Sequence, residues 1–284
     1  MTSEHNKNNR AGQLFIVATP IGNLDDITLR AIDTLKNVDI IACEDTRHSH
    51  KLLNRFGITT PTISYHEHNE EARAKEMLKR LQAGANIALI SDAGTPLIAD
   101  PGFRIVALLR KQGARITPIP GPCSLIAALC ASGLPTDRFT FMGFIPRRGK
   151  SRAEMFDQIA AANQTCILFE SPRRLLAALS ELRTCCLPPR TVSVCREITK
   201  LHESFINGDI DTLIEHFNTA PPRGEIILLI APAIPAVIDD DAIMVQLNAS
   251  ELQHHTTSDR VRYVAGLLGV PKTRVYALAI RSKP

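Results

Sequence analysis

The sequence of 284 residues contains no tryptophan, and aromatic residues make up only 5% of it. We therefore expect no surface of aromatic side chains on which bases stack, as single-strand binders use. Long apolar runs are also lacking: the longest, 226–238, is interrupted by Pro232 and Pro235 and is too short to span a bilayer. The composition predicts a soluble protein with no membrane partner.

Several motifs of nucleotide and metal chemistry are missing. The loop Thr19-Pro20-Ile21-Gly22-Asn23 holds one glycine where a dinucleotide-binding fingerprint needs three. Neither a P-loop nor the G-x-S-x-G turn of serine hydrolases occurs. The pairs His48/His50 and His66/His68 have no carboxylate partner at ligand spacing, so no metal site is expected.

Seven cysteines are present, but none forms a C-x-x-C pair. This pattern is typical of reduced, mostly buried thiols and predicts a cytoplasmic protein. Residues 1–11 are polar and have no apolar segment, so we expect a disordered tail there. The net charge of +4 permits an anionic partner without requiring one.

Strand and helix patterns alternate through the first domain, for which we expect residues 12–120. Apolar runs predict strands at 13–18, 38–43, 62–64, 87–90 and 115–119. Helical spacing appears at 28–35 and 69–82, and Pro101 is expected to open a helix that ends at Lys111. This alternation predicts an α/β fold with a parallel sheet and helices on both faces.

A second, strand-richer α/β domain is expected over residues 121–240. Its predicted strands are 139–144, 165–169, 191–195, 201–206 and 225–230, with helices at 172–183 and 209–217. The segment Pro146–Arg152 is expected to be a basic loop. After an acidic spacer, two short helices at 258–268 and 273–280 predict a helical module over 241–284, either a helix-turn-helix or a structural cap.

The exits of three predicted strands share an unusual composition of small residues, prolines and few charges. They are 19–23, 91–102 and 120–124. In an open parallel sheet, the loops at the carboxyl ends of the strands line the ligand crevice. Because these loops lack lysine, they favour a compact, nucleoside-like cofactor held by backbone groups over a phosphate-rich one.

Eight ordered motifs together resemble one family. They are 18–24 (ATPIGNL), 43–47 (CEDTR), 91–102 (SDAGTPLIADPG), 120–124 (PGPCS), 144–147 (FIPR), 169–174 (FESPRR), 196–203 (REITKLHE) and 223–225 (RGE). The chain resembles the class III S-adenosylmethionine-dependent methyltransferases of the tetrapyrrole methylase type. It is most similar to members that methylate the 2′-oxygen of a cytidine ribose in the decoding region of bacterial 16S rRNA.

The resemblance implies two α/β/α domains, a homodimer, and S-adenosylmethionine in the cleft between the domains. It implies that the first domain binds the cofactor through Pro20, Ile21, Gly22, Asp92, Ala93, Gly94, Thr95, Pro122 and Ser124, and the second through Phe169, Ile198 and Gly224. The implied partner is 16S rRNA or the small ribosomal subunit.

A ribose 2′-hydroxyl is a weak nucleophile and benefits from a general base. The candidates are Glu44, Lys200, Asp45 and Glu170, with Glu44 and Lys200 slightly favoured. Lys200 qualifies only if burial lowers its pKa. Glu44 and Asp45 can instead cap a helix, and Glu170 can instead pair with a nearby arginine.

The interval from Arg138 to Arg152 contains five basic residues and no acidic one, which predicts contacts with RNA phosphates. The candidates for RNA binding are Arg47, Arg147, Arg148, Lys150 and Arg152. Two rival functions stay open at this point. One is methylation of a small tetrapyrrole, and the other is a ribosome-binding protein without enzymatic activity.

Overall fold

The computed structural model describes residues 11–66, 69–187, 189–233, 239–249, 252 and 254–281. The chain divides into two compact units between Ala233 and Ile234. The expected N-terminal tail lies outside the described residues, apart from Ala11.

The first sheet contains β1 (Gln13–Val17), β2 (Ile40–Cys43), β3 (Thr62–Ser64), β4 (Ile87–Ile90) and β5 (Arg115–Ile119). Its order is β3-β2-β4-β1-β5, and all of its pairings are parallel. Every side chain of β2 and β4 is buried, as expected for strands covered on both faces. The parallel sheet predicted from the sequence is confirmed.

Four helices cover the two faces of this sheet. They are α1 (Leu29–Asn37), α2 (Thr46–Arg55), α3 (Glu70–Gln82) and α4 (Phe103–Lys111). Helices α1 and α2 pack through Leu35 and Leu53 on the face that includes Ile41 and Ile90. Helices α3 and α4 pack on the opposite face, which includes Leu89. The alternation of side chains along each strand therefore supplies two apolar layers.

The second sheet contains β6 (Phe139–Phe144), β7 (Thr165–Glu170), β8 (Val192–Arg196), β9 (Ser204–Gly208) and β10 (Ile226–Ile230). Its order is β6-β7-β10-β8-β9, with only the β6–β7 pair parallel. Its helices are α5 (Ser124–Ser132), α6 (Lys150–Ala161), α7 (Pro172–Cys185) and α8 (Ile210–Thr219). Helices α6 to α8 cover one face, and α5 covers the other. The predicted fold, two sheets that each lie between two layers of helices, is thus confirmed.

The second unit consists, in its described part, of α9 (Asp240–Leu247), α10 (Thr257–Leu268) and α11 (Lys272–Arg281) around a small apolar core. The predicted helix pair is present as α10 and α11. The boundaries proposed for the three domains remain predictions. Among the described residues, no helix combines the length and the apolar character that a membrane span needs.

The structure corrects three local expectations. The acidic spacer is helix α9, because the Asp239 side chain accepts from the Ala242 N–H at 2.7 Å and caps its first turn. Pro101 does not open α4, which begins at Phe103 after Gly102 with a φ of 118°. The basic segment is a loop only to Gly149, since Lys150 begins α6.

Helix α4 obtains its N-terminal cap from a distant part of the chain. Its N-cap residue, Gly102, has no side chain to offer, and the buried Glu70 carboxylate takes that place. Glu70 Oε1 accepts hydrogen bonds from the N–H groups of Gly102, Arg104 and Ile105 at 3.0, 2.8 and 3.3 Å. A carboxylate at a helix N-terminus also interacts favourably with the helix dipole. Glu70 therefore fixes where the loop 91–102 ends.

Replacing Glu70 with alanine is expected to lower the free energy of unfolding by about 1–3 kcal/mol, because three N–H groups lose their acceptor. Urea denaturation followed by circular dichroism measures this change. The neighbouring Glu71 is the matched control, since its side chain is 78% exposed and paired with Lys75. Glu71→Ala should change stability by less than about 0.5 kcal/mol. Equal losses in the two variants would contradict the capping role of Glu70.

Candidate functional site

The loops that follow β1, β4 and β5 meet because these strands are neighbours in a parallel sheet. Thr19 and Gly94 exchange two backbone hydrogen bonds, of 2.9 and 3.0 Å, which join the first two loops. The Thr95 hydroxyl donates to the Pro122 carbonyl at 3.0 Å, which joins the second loop to the third. Three strand exits that are far apart in sequence thus form one wall of a cleft.

The floor of the cleft is a row of side chains across three strands of the second sheet. Ile227 on β10 pairs with Phe169 on β7 and with Cys195 on β8. Paired residues of neighbouring antiparallel strands point to the same face of a sheet. Only Phe169 was predicted, because the other two follow from the strand register rather than from a motif.

The turn between β8 and β9 lies against the first loop. The Asn23 N–H donates to the Thr199 hydroxyl at 3.0 Å. A Cβ atom on Gly22 would lie 2.6 Å from both Thr199 Oγ1 and Lys200 Cγ, so this approach requires glycine. Thr199 has a φ of 66°, and its N–H donates to Glu203 at 2.7 Å. Because this turn occupies 197–203, β9 begins at Ser204 rather than at 201.

The cleft between these walls has a volume of about 270 Å³. It is lined by seven of the residues predicted to bind the cofactor: Ile21, Ala93, Gly94, Thr95, Ser124, Phe169 and Ile198. Pro20, Gly22, Asp92, Pro122 and Gly224 do not line it. Their roles remain predictions, and Gly22 and Pro122 have structural contacts that explain their positions. The lining also includes Ile98, Asp100, Cys123, Phe144, Glu170, Cys195, Glu225, Ile226 and Ile227.

The charged groups in the lining are all acidic. Asp100, Glu170 and Glu225 contribute carboxylates, and no lysine or arginine lines the cleft in the described part of the chain. Burial raises the pKa of Asp100, although a hydrogen bond with Ser91 acts in the opposite direction. Apolar walls with carboxylates and backbone groups suit a nucleoside that carries a positive charge, such as a sulfonium, better than a polyphosphate.

Of the four candidate bases, Glu170 alone lines this cleft. Its Oε1 accepts from Arg174 at 2.6 Å and from the Ser171 N–H at 2.5 Å. Its Oε2 is buried and has no hydrogen-bond partner in the described part of the chain. The pairing with Arg174 that the sequence offered as an alternative is therefore present, yet it leaves one carboxylate oxygen unused.

The other three candidates have different surroundings. Glu44 lies in a neighbouring pocket whose charged lining residues also include Glu70, Asp100 and Arg104, and burial together with Asp92 and Asp100 raises its pKa. Asp45 caps α2, and hydrogen bonds from Arg47 lower its pKa.

Lys200 does not meet the condition set for it as a base. Its ammonium group lies 3.0 Å from both Glu197 and Glu225. Burial acts to lower the pKa of Lys200, but the hydrogen bonds to these two carboxylates outweigh burial and raise it overall. The structure therefore argues against Lys200 as a neutral amine.

A groove adjoins the cleft at Phe144, Glu170 and Glu225 and carries a basic side chain. This groove, which we call the Arg147 groove, has a volume of about 590 Å³. Its other lining residues are Ile145, Pro146, Arg147, Ser171, Pro172, Arg174 and Gly224. Arg147 and its neighbour Arg148 are exposed.

The remaining candidates for RNA binding are less free. Arg47 is 90% exposed but pairs with Asp45, and the exposed Lys150 pairs with Glu154. Arg152 is buried: it binds Glu181 at 2.9 Å and donates to the Pro146 carbonyl at 2.8 Å. The expectation that Arg152 lies on an exposed basic loop is wrong, because it anchors α6 to α7.

A family model described as tetrapyrrole (corrin/porphyrin) methylases matches residues 13–214. The chain belongs to this family. It is 46% identical to "Ribosomal RNA small subunit methyltransferase I" of Synechocystis sp., over 95% of this chain and 98% of that protein. It is 41% identical to the protein of the same name in Haemophilus influenzae, over 95% and 96% of the two chains.

A solved structure gives the same fold. It is a uroporphyrin-III C-methyltransferase from Thermus thermophilus complexed with S-adenosyl homocysteine, with a TM-score of 0.53 and 18% identity. The alignment covers 78% of this chain and 97% of that one. The predicted family, the α/β fold with two sheets covered by helices, the methyltransferase class and S-adenosylmethionine as the cofactor are confirmed.

Replacing Gly94 with alanine is expected to lower the affinity for S-adenosylmethionine about tenfold or more. The residue has a φ of 79°, and a Cβ atom there would lie 3.2 Å from Ile21 Cγ2 on the wall of the cleft. A left-handed conformation costs a non-glycine residue about 1–3 kcal/mol, which a shift of this loop would relieve. Calorimetric titration measures the affinity.

Gly57 is the matched control, because its φ of 61° gives a similar backbone penalty and a Cβ atom there would meet no other atom within 4 Å. Gly57→Ala should lower stability and leave cofactor affinity unchanged. If both variants bind the cofactor as the wild type does, the loop 91–102 does not shape the binding site.

Proposed function

We propose that this protein transfers a methyl group from S-adenosylmethionine to the 2′-oxygen of a cytidine ribose in 16S rRNA of the small ribosomal subunit. Near-full-length similarity to proteins named as small-subunit rRNA methyltransferases carries this proposal. The Arg147 groove beside the cleft supports it, because an anionic polymer needs a basic surface next to the methyl donor. The protein acts as a homodimer in the cytoplasm.

The RNA binds to the surface of the protein that contains the Arg147 groove. Arg147 and Arg148 contact backbone phosphates, whereas Arg47 and Lys150 contribute only if RNA competes with the carboxylates that they pair with. Phosphate contacts of this kind position a nucleic acid without reading its sequence. Arg152 is not part of this surface.

The cleft holds the cofactor, which supplies an electrophilic methyl group. The walls at Gly94, Thr95 and Ile21 and the floor at Phe169 bind the nucleoside part, and the carboxylates of the lining balance the positive charge. Placement of the acceptor oxygen in line with the methyl group supplies much of the catalysis in such a displacement.

Glu170 accepts the proton of the 2′-hydroxyl on Oε2. Its position supports this role, because Glu170 lines both the cleft and the Arg147 groove. The ion pair with Arg174 holds the carboxylate through Oε1, and Oε2 has no hydrogen-bond partner in the described part of the chain. Because Oε2 is buried, this role requires the side chain to turn towards the cleft when the acceptor binds. Glu44 is a weaker candidate, because it lines a neighbouring pocket and not the cleft, although burial and the carboxylates of Asp92 and Asp100 raise its pKa.

The decisive measurement is the transfer of labelled methyl from S-adenosylmethionine to isolated small subunits and to naked 16S rRNA, followed by nucleoside analysis. We expect 2′-O-methylcytidine as the product. Methylation of a porphyrinoid instead of RNA would support the rival small-molecule function. Cofactor binding without transfer to RNA would mean that the protein methylates an acceptor other than 16S rRNA.

Glu170→Gln is expected to slow single-turnover methyl transfer by about 100-fold or more, because glutamine cannot accept the proton. The amide still fills the site beside Arg174, so affinities for the cofactor and for the small subunit should change little. Glu44→Gln is the comparison and should transfer at a rate close to that of the wild type. A normal rate in Glu170→Gln together with a slow rate in Glu44→Gln would show that Glu44, and not Glu170, is the general base.

A further inference from the structure

Charged residues follow one another along the edge of the second sheet where β6, β7 and β8 end and β10 begins. Arg147 follows β6, Glu170 ends β7, and Arg196 ends β8. Glu170 and Arg196 both pair with Ile226, the first residue of β10, from opposite sides. Neighbouring strands lie about 4.8 Å apart, so the backbones at Glu170 and Arg196 are about 10 Å apart.

A second basic pocket lies at the Arg196 end of this edge. This Arg196 pocket has a volume of about 280 Å³ and is lined by Arg196, Glu197, His202, Pro221, Arg223 and Gly224. It shares Gly224 with the Arg147 groove. The two depressions therefore adjoin along the sheet edge, with Glu170 in the groove and Arg196 in the pocket.

The Arg196 guanidinium has unused hydrogen-bonding capacity. Its Nη2 donates to the His202 carbonyl at 3.3 Å, whereas its Nε is buried and has no hydrogen-bond partner in the described part of the chain. A buried donor without an acceptor is unfavourable, and a rotation of the guanidinium towards an anion in the pocket would remove that cost. Arg223 is exposed and lines the same pocket, which brings a second guanidinium.

The one carboxylate in the described lining, Glu197, already has partners within the protein, although one of them, Lys200, is shared with the Glu225 carboxylate. Its Oε1 accepts from Lys200 Nζ at 3.0 Å and from the Glu225 N–H at 2.8 Å. The hydrogen bond from the Glu225 N–H and the one from Lys200 lower the pKa of Glu197 against the effect of burial, which keeps it ionised and bound to them. Two guanidinium groups therefore remain for a ligand.

We propose that Arg196, His202 and Arg223 bind a backbone phosphate of the rRNA, on the opposite side of Glu170 from Arg147 and Arg148. This inference rests on the proposed function. Guanidinium groups suit phosphate oxygens because they offer several N–H donors in one plane. With a phosphate held at each end of the edge, the strand crosses Glu170 and one ribose is placed at its carboxylate.

The test compares Arg223→Gln and the double variant Arg196→Gln/Arg223→Gln with the wild type in binding to isolated small subunits at several salt concentrations. We expect the double variant to bind about tenfold more weakly or worse, since it cannot form charge-assisted hydrogen bonds to the phosphate. The slope of log affinity against log salt should become shallower by about 0.7 for each phosphate that the variant no longer neutralises. Arg223→Gln alone should show part of both effects.

The control removes two positive charges elsewhere, through Arg110→Gln/Lys111→Gln in the exposed last turn of α4. Affinity for S-adenosylmethionine, measured by calorimetry, should be unchanged in all variants and also reports whether each is folded. If the double variant and the control have the same affinity and the same salt slope, the phosphate site is wrong. If affinity falls while the salt slope stays that of the wild type, the pocket binds a ribosomal protein, which also overturns the proposal.

If Arg196→Gln fails to fold, Arg223→Gln alone decides the matter, because its exposed side chain is not needed for packing. Methyl transfer by the wild-type protein shows whether a negative result refutes this inference or the proposed function. Absence of methyl transfer by the wild type refutes the function. Transfer by the wild type with variants that bind like the control refutes only the second phosphate site.

Discussion

The pair of hydrogen bonds between Thr19 and Gly94 is the constraint on which the functional site depends. It joins the loops that follow β1 and β4, which are neighbours in the strand order β3-β2-β4-β1-β5. Because the two strands are parallel, both loops lie at the same edge of the sheet. The hydrogen bond from Thr95 to Pro122 adds the exit of β5. Glu70 fixes the far end of the same loop at α4. Each of these contacts has a backbone group of the loops as donor or acceptor, which explains why most side chains of the wall can be small.

The distribution of charge separates the two ligands. Carboxylates line the cleft, which suits a cationic cofactor, whereas arginines lie outside it along the edge of the second sheet. Glu170 stands at the boundary and contacts both regions. The proposed RNA substrate would be attracted to the edge and repelled from the cleft, so the polymer would not compete for the space of the cofactor.

Much of this arrangement is predictable from the sequence, because strand exits rich in proline and glycine are local signals. The strands 62–64, 87–90 and 115–119 agree with the structure residue for residue, and the predicted parallel pairing is present. The strand order that brings the loops after β1, β4 and β5 together was not predicted. What the sequence does not reveal are contacts made across the fold. Cys195 and Ile227 join the floor through antiparallel register, and Glu70 caps a helix that begins more than thirty residues later. The sequence does not distinguish Arg152 from its basic neighbours, because its ion pair with Glu181 is formed only in the folded protein.

The contact of Gly22 with Thr199 and Lys200 makes the two halves of the chain dependent on each other's sequence. In a hybrid that combines the first sheet of one homologue with the second sheet of another, the two sides of this contact come from different proteins. The hybrid keeps its geometry only where the loop after β1 and the turn between β8 and β9 come as a matched pair. We therefore expect the stability of such a hybrid to depend on this contact, whose residues Asn23 and Thr199 are 176 positions apart, as well as on the sequence at the crossover point.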